Sequence, residues 1–114
     1  MANSLVILHK DPAHVASLLP HVKSVSDTVF AVHSLSELRT LISKHSIQTA
    51  VLDLAMVSPE EIIYLQKLGM RIVCTHHFAD DSMWAAALAA GALDCCFDDD
   101  APAICRAIRQ SAAA

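Results

Sequence analysis

The sequence predicts a single α/β domain over residues 1–114, with a five-stranded parallel sheet covered by helices on both faces. Three observations predict it. Short apolar, β-branched runs alternate five times with segments of helical spacing. The runs are apolar throughout rather than apolar at every second residue, as expected of strands buried on both faces. Apolar residues make up 54% of the 114 residues, enough for one core and too short a chain for two.

The expected strands are Leu5 to Leu8, Thr28 to Val32, Thr49 to Leu54, Met70 to Thr75 and Leu93 to Phe97. Between them lie helix start and stop signals. Asp11 before Pro12 suits an N-cap and first helical position, leading into Val15, Leu18 and Leu19. Ser34 with Glu37 reads as a capping box ahead of Leu38, Leu41 and Ile42. Ser58-Pro59-Glu60-Glu61 combines a capping box with Pro in the first turn, and Gly69 closes that helix. Asp80 or Asp81 caps an alanine-rich helix, Met83 to Ala90, closed by Gly91. Asp100 caps a last helix from Ala101 to about Ser111, after which the alanine tail is expected to fray. Right-handed crossovers between parallel strands then put helices on both sides of the sheet.

Composition excludes several classes. The formal net charge is −4 and the eight Lys and Arg are scattered, so the basic stripe of a nucleic-acid binder is missing. No apolar run reaches the roughly 18–20 residues of a membrane span. The first ten residues lack a basic segment and a long apolar stretch, so no signal peptide is expected and the reading is cytoplasmic. Cys74, Cys95, Cys96 and Cys105 form no CxxC pair and are expected to be reduced core residues.

In such a sheet, ligands gather at the carboxyl ends of the strands. The residues there are His9 and Lys10, Asp53, Thr75 with His76 and His77, and Asp98. Adjacent His76 and His77 point opposite ways on a strand and chelate poorly as a pair. His9 with one of them and Asp53 is the transition-metal arrangement that the sequence offers, against the plainer reading of exposed loop histidines. His14, His21, His33 and His45 are expected elsewhere. Asp98-Asp99-Asp100 is expected to serve the N-terminus of the last helix.

At these positions the chain resembles the receiver domains of response regulators, the CheY-like family, over nearly its whole length. Leu5-Val6-Ile7-Leu8-His9-Lys10-Asp11-Pro12 resembles the family's first strand and turn. Ala50-Val51-Leu52-Asp53-Leu54 resembles the strand ending in the phosphoacceptor aspartate. Ile72-Val73-Cys74-Thr75 resembles the strand ending in the switch hydroxyl, and Ala90-Gly91-Ala92-Leu93-Asp94 the turn into the fifth strand. The resemblance implies a doubly wound, flavodoxin-like sheet of order 2-1-3-4-5 and a role in two-component signal transduction. It assigns Asp53 as the phosphoacceptor equivalent and Thr75 with Cys95 as the switch equivalents.

The departures are as informative. The family holds Mg²⁺ with two acidic residues after the first strand, where this chain has His9 and Lys10. The family's lysine position, seven residues on from Gly91, is Asp98. Aspartyl phosphorylation needs a carboxylate and a divalent cation clamping the phosphoryl oxygens. A lysine about where the ion belongs repels it by roughly 4 kcal/mol at 4 Å and an effective dielectric of 20. No bound Mg²⁺ or other cofactor is therefore expected. Lys10 is expected to reach Asp53, and Asp98 as well, as a fixed internal cation.

The leading expectation is a degenerate receiver that acts as a protein-interaction module, not an enzyme. Its partner would be a protein such as a histidine kinase or output domain, or a second copy through the fourth helix, fifth strand and fifth helix. The small-residue run Ala85 to Ala90 lies on that face, and Trp84 is its candidate anchor if exposed. The alternatives are a receiver phosphorylated on Asp53 and a small cofactor-binding or enzymatic flavodoxin-like domain. No glycine-rich phosphate loop supports the last, since Gly69 and Gly91 are both helix stops.

Overall fold

In a computed structural model, which describes residues 4–77 and 81–113, five β/α units follow one another. They are β1 (Ser4–Leu8), α1 (Pro12–Val22), β2 (Thr28–Val32), α2 (Leu35–Lys44), β3 (Thr49–Asp53), α3 (Pro59–Lys67), β4 (Arg71–His76), α4 (Asp81–Ala90), β5 (Asp94–Phe97) and α5 (Ala101–Ala113). The sheet is parallel throughout, in the order β2-β1-β3-β4-β5, as the sequence led us to expect.

Strand parity divides the core in two. Leu5, Ile7, Val51, Val73 and Cys96 pack with Val15, Leu18 and Val22 of α1 and Ile104, Ala107 and Ile108 of α5. Val6, Leu8, Ala50, Leu52, Ile72, Cys74 and Cys95 face the other way, against Leu38 of α2, Ile62 and Leu65 of α3, and Ala87 and Ala90 of α4. Successive strand residues point to opposite faces, which is why adjacent Cys95 and Cys96 are both buried, one in each half.

The caps fix the helix starts. Asp11 accepts from the Ala13 N–H and Pro12 opens α1. Ser58 and Glu61 form the full capping box of α3. At α2 only half of the expected box forms: Ser34 accepts from the Glu37 N–H, while the Glu37 carboxylate accepts from the N–H of His33, one residue before the cap. Asp100 accepts from the Ala103 N–H at the start of α5, which continues to Ala113 rather than fraying near Ser111. Asp80, the other candidate cap of α4, lies outside the described residues. Gly91 has φ +115°, a backbone conformation that side-chain-bearing residues rarely adopt, so the stop needs glycine.

Candidate functional site

Parity also decides what sits at the carboxyl edge. Continuing the α1/α5-facing series by two residues takes Ile7 to His9, Val51 to Asp53, Val73 to Thr75 and then His77, and Cys96 to Asp98. These are the polar side chains that meet over the ends of β1, β3, β4 and β5. His9, Asp53, His77 and Asp98, together with His14 of α1, line a cleft of about 560 Å³, whose other walls include Lys10, Asp11, His76, Met83 and Asp99.

His9 is the centre of the arrangement. It is 7% exposed. Its N–H donates to the Val32 carbonyl, extending the β1–β2 pairing by one residue. Its Nε2 lies 3.7 Å from Asp53 Oδ2 and 3.7 Å from Asp98 Oδ2. The Asp11 N–H donates to its Nδ1 at 3.0 Å. A ring nitrogen that accepts carries no hydrogen, so the neutral ring has its hydrogen on Nε2, directed at the two carboxylates. The His33 ring bonds the His9 carbonyl through Nδ1 at 3.0 Å, and the rings of His9 and His14 lie 4.3 Å apart.

The expected lysine bridge is not what the chain uses. Lys10 is exposed and in no ion pair among the described residues. One residue after His9, it takes the opposite parity and forms an exposed part of the cleft wall. The imidazole of His9 takes the place between Asp53 and Asp98 that Lys10 was expected to fill. Asp53 is buried, and its second carboxylate oxygen accepts from the Ala55 N–H at 3.0 Å. Thr75 is buried beside it, in register across β3 and β4.

The histidines differ from expectation as well. His14 was expected elsewhere, yet it stacks on His9, and its Nε2 is shut off from solvent with no hydrogen-bond partner. His76 was expected in an exposed loop. Instead β4 runs one residue further, and His76 is 3% exposed with both ring nitrogens unpartnered. It packs between Trp84 at 5.1 Å and Phe97 at 4.7 Å. His77 is exposed, with Nδ1 3.6 Å from Asp98 Oδ1. The signal that could have separated these residues was strand parity, because His76 shares the face of Cys74 and Cys95 while His77 shares that of Thr75.

Trp84 is half-buried against the α2/α3/α4-side core. The exposed apolar groups on α4 and around β5 are Met83, Leu88, Leu93 and Phe97. Cys95 lies beside Cys74 across β4 and β5. Its hydrogen bond, with burial, pushes the Cys74 thiol up, and burial pushes Cys96 up to about 11. The same bond pushes Cys95 down, while Cys74 and Cys96 stay protonated at neutral pH and suit a core rather than redox work.

Mg²⁺ takes an octahedron of oxygens and keeps several waters. The side chains here are two carboxylates with an imidazole N–H directed between them, and neither residue after β1 is an acid. Asp53 and Asp98 are the oxygen donors of this set, and the imidazole between them is a poor Mg²⁺ ligand.

No family model matches the sequence, and no curated protein matches it. The fold is that of solved receiver domains. A response regulator from Thermotoga maritima superposes with a TM-score of 0.84 at 10% identity, each chain covered in full. The signal receiver domain of an HD domain-containing protein from Pseudomonas fluorescens gives 0.86 at 11% identity, over 99% of this chain and 96% of that one. A response regulator protein from Burkholderia pseudomallei with a phosphorylated aspartic acid, calcium ion and citrate gives 0.82 at 17% identity, over 97% of this chain and 69% of that one.

Proposed function

We propose that this chain is a receiver-fold signalling module that binds a protein partner without Mg²⁺-dependent phosphorylation of Asp53. The observation that carries the proposal is His9, seated with Nε2 3.7 Å from both Asp53 and Asp98. A phosphoryl group arriving at Asp53 needs its charge neutralised by a cation and by donors placed in advance. The position after β1 offers an imidazole N–H in place of an ion, and β5 is followed by a carboxylate in place of a lysine. Asp98 would repel the incoming phosphoryl oxygens.

The partner surface in this reading is the α4–β5–α5 side, where Leu88, Leu93 and Phe97 are exposed. Trp84 supports that surface from beneath, packed on His76. The partner is a histidine kinase, an output domain or a second copy of the chain. The module binds rather than catalyses.

Intact mass spectrometry after incubation with acetyl phosphate and Mg²⁺, with Asp53→Asn as control, tests the proposal. The expected result is an unmodified mass in a folded sample. An adduct that disappears in Asp53→Asn overturns it in favour of a phosphorylated receiver, for which the buried Asp53–Thr75 pair is already in place.

A further inference from the structure

The cleft that fits Mg²⁺ poorly has the donors of another kind of ion. His9, His14 and Asp98 each offer a ligand atom, all within 4.8 Å of one another. An ion held tetrahedrally at about 2 Å from each would keep them about 3.3 Å apart, a distance side-chain adjustment can reach. His14 Nε2 is buried and unpartnered beside the His9 ring, and a lone pair withheld from water and left without a donor lacks the compensation that buried polar atoms ordinarily have. Asp53 Oδ2 lies 3.7 Å from the same His9 Nε2 and adds negative charge beside it. Asp11, Asp53, Asp98 and Asp99 line the cleft against the one lysine, Lys10, so the local charge favours a cation.

We propose that this cleft is a transition-metal site of two histidines and one aspartate, selective for Zn²⁺-like ions over Mg²⁺. Imidazole with carboxylate suits Zn²⁺, Co²⁺ and Ni²⁺, whereas Mg²⁺ binds oxygen and sheds water reluctantly. The inference goes beyond the signalling role proposed above and stands on the cleft alone, so either can fail without the other. Binding has one structural requirement. His9 must give its Nε2 lone pair to the ion, so its hydrogen moves to Nδ1 and the hydrogen bond from the Asp11 N–H breaks. The Asp11 amide therefore reports occupancy.

The test is titration of the full chain with Co²⁺, followed by its d–d absorption and by the Asp11 amide resonance, then displacement by Zn²⁺. The expected result is one ion per chain, no competition from a large excess of Mg²⁺, and a shifted Asp11 amide. His14→Ala and Asp98→Asn should each weaken binding by at least the roughly tenfold cost of losing an outer-shell partner. His21→Ala, on the same helix as His14, should leave it unchanged. Thermal melts identify any variant that does not fold, and the Asp11 signal of the unmodified chain then decides. No Co²⁺ band, binding indifferent to both ligand variants, or binding with an unmoved Asp11 amide would each overturn the proposal.

Discussion

At the carboxyl edge of the sheet, polar side chains are buried: His9, Asp53, Thr75 and His76. Around α4 and β5, apolar side chains are exposed: Leu88 at 43%, Leu93 at 53% and Phe97 at 54%. The two regions depart from the ordinary partition of side chains in opposite directions, and each departure costs stability unless something offsets it. Buried polar groups need partners, and exposed apolar groups signify most when another surface covers them. At the edge the offset is internal for His9, Asp53 and Asp98, which answer one another. On the α4–β5 side no described residue covers the exposed groups. In the proposed function the first region is the altered input site and the second the binding surface, while His14 Nε2 and both His76 nitrogens at the edge have no hydrogen-bond partner.

The largest test of the first half of this contrast is His9→Ala. It leaves the Asp53 and Asp98 carboxylates facing each other without the imidazole N–H, at an expected cost of about 2 kcal/mol in denaturant unfolding. Lys10→Ala should change stability by no more than about 0.5 kcal/mol, as for an exposed residue without partners. Equal effects of the two substitutions would break the assignment of His9 as the bridging group.

The second half is tested by replacing Leu93 and Phe97 together with serine. The expected outcome is a loss of no more than about 1 kcal/mol in unfolding stability, the worth of the Phe97 ring against His76, because neither side chain is in the core. Association, whether self-association in light scattering or capture of a purified cognate partner, should weaken by about tenfold or more, the effect of losing about 1.4 kcal/mol of interface. Loss of stability with unchanged association would mean that the two residues serve the fold.

Much of this was legible in the sequence. The five strands, the Asp11, Ser58 and Asp100 caps and both glycine stops follow from local patterns that tertiary contacts do not reverse. So does the gathering of His9, Asp53, Thr75 and Asp98, because parallel strands deliver their carboxyl ends to one edge. What was missed turned on direction. The charge of Lys10 points to it as the bridge, whereas counting by twos from Ile7 selects His9. His14 was missed because where the first turn of α1 sits over the sheet depends on how Val15, Leu18 and Val22 seat against it, which no local motif encodes. His76 reads as a loop residue because nothing local shows that β4 runs one residue further; once it does, parity puts the ring on the face that Trp84 and Phe97 cover.

His76 gives the smallest and most exacting test. A buried imidazole with both nitrogens unpartnered forfeits hydrogen bonds that it makes in the unfolded chain. Two aromatic rings lie against it, and aromatic pairs are favourable without any polar atom. His76→Phe should therefore stabilise the protein by about 1 kcal/mol, read as a higher denaturation midpoint with an unchanged slope. It keeps the ring between Trp84 and Phe97, so the α4–β5 surface should bind as before. It removes no member of the His9, His14 and Asp98 group, so Co²⁺ titration should also be unchanged. A destabilised His76→Phe would show that the His76 ring has a polar partner that the substitution removes.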